Sequence, residues 1–215
     1  MSYTLAVIFS FSIVIPSVIG WIRFNKIDPV YYPFIYCISI GLINEVVSFI
    51  LIRHGHSNAV NNNIYVLSES LLITWFFFKL GLFRPRFLFP LFLYLLIIIW
   101  LAEAIYARSL HVRYIYFRLF YSFLIAMMSV NMINRQLLNE KENILKNSIF
   151  LISVAYVLYY TYKIILLSFQ IYGVSQIPLV IAILGIDSYL NLLSIIIFTL
   201  AVLWMPIKPR FSLSF

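Results

Sequence analysis

The chain has 215 residues, of which 64% are hydrophobic and only 10% charged, with a net charge of +8. A soluble domain carries about 25% charged residues and needs a polar exterior, so this composition excludes one and points to an integral membrane protein. The positive balance then reflects loop topology rather than nucleic acid, and the single cysteine, Cys37, excludes an internal disulfide.

Apolar runs of about 20 residues predict seven transmembrane helices, over 2–21, 31–52, 63–80, 87–106, 114–133, 148–171 and 179–204. The whole chain is therefore expected to be one all-α domain, 1–215. Strands of a membrane barrel would be half as long and alternate in polarity, which these runs do not. The first run lacks the basic start and small-residue cleavage site of a signal peptide, and counts as helix one. Punctuation separates the spans: Asp28-Pro29, then Arg53 to Asn58, then Arg84-Pro85-Arg86, and Gly173 to Pro178 in the sixth link. Asn61-Asn62-Asn63 is expected to cap helix three. The fifth link, Asn134 to Asn147, is the most soluble-looking stretch and carries Glu140, Lys141 and Glu142.

Seven spans put Arg23, Lys26, Lys79, Arg84, Arg86, Arg135, Lys141, Lys146, Lys208 and Arg210 on one side, and Arg53, Arg108 and Arg113 on the other. By the positive-inside rule the N-terminus lies outside and the C-terminus in the cytoplasm. The tail Pro206 to Arg210 is a basic stop suited to anionic inner-leaflet lipids.

In this frame six charged side chains fall within spans and in the outer half: Glu45, Glu69, Glu103, Arg118, Lys163 and Asp187. An ionisable group costs roughly 2.5–3.5 kcal/mol at mid-span, so several together mark a pocket or pathway. Glu45, Glu69, Lys163 and Asp187 lie ~9–12 Å below the outer surface at 1.5 Å per residue; Glu103 and Arg118 lie nearer to it, where snorkelling is the competing explanation. Polar stripes surround them at helical spacing: Asp187, Asn191 and Ser194; Tyr156, Tyr160 and Lys163; Tyr159, Lys163 and Gln170; Tyr114, Arg118 and Tyr121; Gly41, Glu45 and Ser48 beside Asn44; Asn62, Tyr65 and Glu69. Such residues also glue helices together by hydrogen bonds, which is the plainer explanation. The candidate pocket is thus Glu45, Glu69, Glu103, Arg118, Lys163, Asp187, Asn191, Asn44 and Tyr160. Four carboxylates against two cations imply a cationic or zwitterionic ligand, or protonated carboxyls that move protons.

His54, His56 and His111 share the outer loops and are weak metal candidates, too few for a four-ligand zinc shell. No cofactor is expected. Pro33 to Trp75, centred on GLINEVVSFILIRHGHSNAVNNNIYVLSESLLITW, resembles a group of small uncharacterised bacterial seven-span proteins across the first three helices. The resemblance implies seven helices and a bacterial inner membrane; it brings no activity. Retinal proteins need a lysine in the last helix, which is missing here. Zinc hydrolases of the ceramidase type need histidines within spans, whereas these lie in loops.

The expected function is a receptor-like module that binds a small ligand and acts through a cytoplasmic or membrane signalling partner. Rival expectations are a transporter or proton-coupled carrier, an intramembrane lipid-modifying enzyme lacking any nucleophile signature, and a membrane-perturbing effector.

Overall fold

The computed structural model describes residues 3–139, 144–173 and 178–207. Glu140, Lys141, Glu142, Lys208 and Arg210, and residues 174–177 of the sixth link, lie outside the described residues. The described fold is all-helical: α1 (Tyr3–Phe11), α2 (Val14–Arg23), α3 (Tyr32–Arg53), α4 (Ala59–Lys79), α5 (Leu88–Ala107), α6 (Ile115–Asn139), α7 (Ser148–Ile171) and α8 (Pro178–Trp204). Its one extended pairing among the described residues is an isolated bridge between Ile27 and Ile207. Five helical segments are long and apolar enough to cross a membrane: Pro29–Arg53, Leu88–Ala107, Ile115–Leu138, Ser148–Ile171 and Gly185–Trp204.

Local chemistry sets the boundaries. Pro33, Pro90 and Pro178 fall in the first turns of α3, α5 and α8, where a missing N–H costs no helical bond. Asn147 caps α7, its side chain accepting from the Phe150 amide. Gly81, at φ 71°, ends α4 in the left-handed conformation, with the Leu82 amide bonding back to Phe77.

Three expectations need correction. The first span is two helices, broken at Ser12-Ile13, because Pro16 has no N–H to give the Ser12 carbonyl four residues back. The asparagine run does not cap a helix: α4 begins at Ala59, and Asn61, Asn62 and Asn63 lie inside it, two of them committed to tertiary bonds. Much of the fifth link is helical, because α6 runs on to Asn139.

The packing order is a closed ring: α1 and α2 against α8 and α3, α3 against α4, α4 against α6, α6 against α7, and α7 against α8. α5 sits outside, against α4 and α6, with Leu96 its buried residue and Leu91, Ile98, Ile105 and Tyr106 exposed. Exposed apolar side chains of this kind are what a lipid-facing surface requires.

The two ends of the ring differ. Toward the start of α3 and the end of α4, Phe34, Phe76, Tyr156 and Phe198 form an aromatic plug, with Phe34–Phe198 and Tyr156–Phe198 ring centroids both 5.3 Å apart. Arg23 bolts that end shut, its guanidinium donating to the carbonyls of Val202, Leu203 and Met205, so it satisfies groups that the end of α8 leaves free. Toward the end where α3 finishes and α4 begins, polar residues replace the rings.

Candidate functional site

A cavity of about 190 Å³ opens at this polar end, walled by α1, α3, α4, α6, α7 and α8. Gly41 leaves room beside it: a Cβ there would come within 2.9 Å of Ile13 Cδ1, which would have to turn aside, and 3.6 Å of the Tyr65 hydroxyl.

Glu69, on α4, is buried at 8% exposure; its oxygens accept the hydroxyls of Tyr65 at 2.6 Å and Tyr121 at 3.0 Å, and the Tyr160 hydroxyl also lies beside the carboxylate. Tyr65 precedes Glu69 by one helical turn, so this bond is local; Tyr121 arrives from α6 and is tertiary. The carboxylate is thereby held rather than free. Glu45, on α3, is half-buried and lies beside the Ser10 hydroxyl of α1.

Arg118, on α6, is also 8% exposed, yet its Nε and Nη2 have no hydrogen-bond partner. A charged donor buried without an acceptor is costly, so this guanidinium keeps hydrogen-bonding capacity that its neighbours leave unused. Arg113, on the loop before α6, is exposed and also lines the cavity, so the cavity reaches the surface there. Lys163, on α7, is satisfied: it bonds Asp187 of α8 at 2.8 Å and lies 5.1 Å from the Tyr159 ring centroid.

The loop carrying Arg113 is held from α4 and α5. Asn63, fully buried, donates to the carbonyls of Leu110 (3.1 Å) and Val112 (2.7 Å) and accepts from the Tyr114 amide (3.2 Å). Trp100 Nε1 donates to the Asn63 carbonyl at 2.9 Å.

Of the sequence-predicted residues, Glu45, Glu69, Arg118, Lys163, Asn44 and Asn191 share the cavity wall. Asp187 stands behind Lys163 as its counterion. Tyr160 lies deeper, in an adjoining space of about 70 Å³ that also touches Glu69 and Asn191. Asn44 accepts from the Asn61 side chain at 2.9 Å, which fastens α3 to α4.

Glu103 does not join the pocket. It belongs to α5, outside the ring, and accepts from the amides of Tyr116 (3.0 Å) and Phe117 (2.5 Å), so it caps α6 from its neighbour. His54, His56 and His111 are exposed, and among the described residues no three His, Cys, Asp or Glu gather as a metal site.

Sequence reasoning missed Arg113, Ser10 and Ser122. Arg113 precedes α6, outside any helical stripe, so periodicity could not reach it; Ser10 is a polar residue in an apolar run, a signal that was present. With Glu103 removed and Arg113 added, the charges balance: Glu45, Glu69 and Asp187 against Arg113, Arg118 and Lys163. The surplus of carboxylates expected from sequence is gone.

No protein-family model matches the chain, and neither a curated protein nor a solved structure matches it.

Proposed function

We propose that the chain crosses a bacterial inner membrane seven times, N-terminus outside and C-terminus cytoplasmic, and binds a small zwitterion in an outward-facing pocket as a receptor-like module. The observation that carries this reading is the buried Arg118 guanidinium, two of whose nitrogens have no partner, beside a cavity lined by both Arg118 and Glu45. A ligand carboxylate or phosphate would satisfy Arg118 by charge-assisted bonds, and a ligand ammonium would meet Glu45. With Lys163 paired to Asp187, the remaining wall charges, Glu45 and Glu69 against Arg113 and Arg118, balance and favour a zwitterion over a bare cation. The aromatic plug beneath the cavity supports a pocket over a continuous pore, and the short basic links facing the cytoplasm are the surface a signalling partner would engage.

The test is thermal unfolding of the purified protein with α-amino acids and small phosphate zwitterions at millimolar concentration. At least one class should raise the melting temperature of the native chain and fail to raise that of Arg118→Gln. Flat melting of the native chain across the panel would refute the reading.

One observation favours a second reading, a carrier. The break at Ser12-Ile13 places a discontinuous helix beside the cavity, and discontinuous helices line the sites of many secondary transporters. Uptake of a pocket ligand into proteoliposomes would support it; binding without uptake favours the receptor.

A further inference from the structure

The smaller space of about 70 Å³ that adjoins the polar cavity has walls of a different kind. Six aromatic rings line it, those of Phe34, Tyr65, Tyr156, Tyr159, Tyr160 and Phe198, together with one carboxylate, Glu69. Its inner end is the top of the aromatic plug. There Phe34 and Phe198, Tyr156 and Phe198, and Phe34 and Tyr156 meet at interplanar angles of 71°, 66° and 74°, steep to one another as the walls of a box are. Tyr65, Glu69, Tyr159 and Asn191 belong to the walls of both spaces.

Most of the chamber's polar atoms already have partners. Glu69 accepts the Tyr65 and Tyr121 hydroxyls and has that of Tyr160 beside it; the Tyr156 hydroxyl lies beside the Cys37 thiol; Ser194 donates to the Leu190 carbonyl at 2.9 Å. A primary ammonium entering here would bring three N–H donors and find few free acceptors, and a buried donor left unmet is costly. Glu69 still carries negative charge, and among the described residues no lysine or arginine forms an ion pair with it. A neutral alkyl group would leave that charge unanswered. What suits these walls is positive charge without N–H groups, a methylated ammonium held by aromatic rings and by the field of the carboxylate. Size agrees. A cavity of about 150 Å³ takes the six carbons of benzene, so 70 Å³ takes roughly three non-hydrogen atoms, the three methyl groups of a trimethylammonium.

We propose that the ligand is a compact betaine, its trimethylammonium group in the aromatic chamber beside Glu69 and its carboxylate in the cavity that Arg118 lines. The proposal rests on the zwitterion-pocket reading; it names the ligand class and moves the cationic end from Glu45 into the chamber. A desolvated contact between a cation and aromatic rings strengthens binding roughly thirtyfold.

The experiment is isothermal titration calorimetry of the full chain in maltoside detergent, with three probes that share a carboxylate: glycine betaine, glycine, and the anion of tert-butylacetic acid, in which carbon replaces the betaine nitrogen. Glycine betaine should bind at least tenfold more tightly than either other probe. Glu69→Gln should erase its lead over the carbon isostere, and Arg118→Gln should weaken all three. Phe198→Leu removes one ring and keeps an apolar side chain; it should cut that lead about threefold, and it carries the test should Glu69→Gln fail to fold. Equal binding of glycine betaine and the carbon isostere would overturn the chamber as a cation site. Tighter binding of glycine than of glycine betaine would overturn the betaine, return the ammonium to Glu45 and leave the zwitterion pocket standing. Silence of all three probes would overturn the betaine as well, whereas the pocket itself falls only if the wider panel of amino acids and phosphate zwitterions is silent too.

Discussion

Replacing Asn63 by alanine removes one side chain that serves three backbone groups at once. The Leu110 and Val112 carbonyls lose their donor, and the buried Tyr114 amide loses its acceptor. The amide has no water to turn to, and an orphaned buried donor costs about 1–3 kcal/mol. The carbonyls belong to loop residues that are 43% and 53% exposed, so water replaces their lost bonds at a net cost of about 0.5 kcal/mol each, the low end of the usual range. The expected loss is therefore about 2–4 kcal/mol, or a melting point lower by roughly 4–16 °C for a chain of this length. Asn61→Ala is the matched comparison, since Asn61 bonds Asn44 and Ser48 across two helices. Such bonds between membrane helices average about 0.6 kcal/mol, so the two partners together give about 1.2 kcal/mol and that variant should shift melting by only about 2–5 °C. Thermal unfolding in one detergent, followed by size-exclusion recovery, compares the two directly. If Asn63→Ala is no worse than Asn61→Ala, the argument that the buried loop amide depends on this residue is refuted.

Glu103→Ala should cost about 0.5–2 kcal/mol, as the loss of a helix N-cap does, and leave pocket binding unchanged; a binding loss as large as that of Arg118→Gln would return Glu103 to the pocket. Gly41→Val drives a side chain into Ile13 and toward the Tyr65 hydroxyl, and should cost about 1–3 kcal/mol while weakening probe binding; unaltered melting and binding would show that the wall yields. In a Cys37→Ala background, single cysteines at His56 and His111 should react with a membrane-impermeant maleimide on intact cells, and one at Arg84 only after permeabilisation. The reverse labelling pattern would invert the proposed orientation.

Much of the site was legible as stripes. Tyr65 with Glu69, and Arg118 with Tyr121, lie three or four residues apart, and helical spacing alone places each pair on one face. Spacing cannot say which stripes turn toward the same centre. That the Tyr65 and Tyr121 hydroxyls both end on one carboxylate, leaving two Arg118 nitrogens without a partner, depends on the rotation of α4 against α6. Glu103 shows the same limit from the other side. Its depth resembled that of a pocket residue, but α5 packs outside the ring, so its carboxylate meets the start of α6 instead. The asparagine run was misplaced because asparagine's amide serves equally as a cap or as a tertiary clamp, and only the tertiary neighbours, α3 for Asn61 and the loop before α6 for Asn63, decide between them.

The sequence by itself determined that this chain is helical and apolar enough for a membrane, and confined its ionisable groups to a few narrow faces, because composition and a 3.6-residue period are properties of the chain alone. Tertiary structure decided the exclusion of α5, the entry of Arg113, and which of the polar stripes meet at one cavity. Those follow from how helices rotate and pack against one another, and contacts between segments far apart in the chain leave no local trace in its residues.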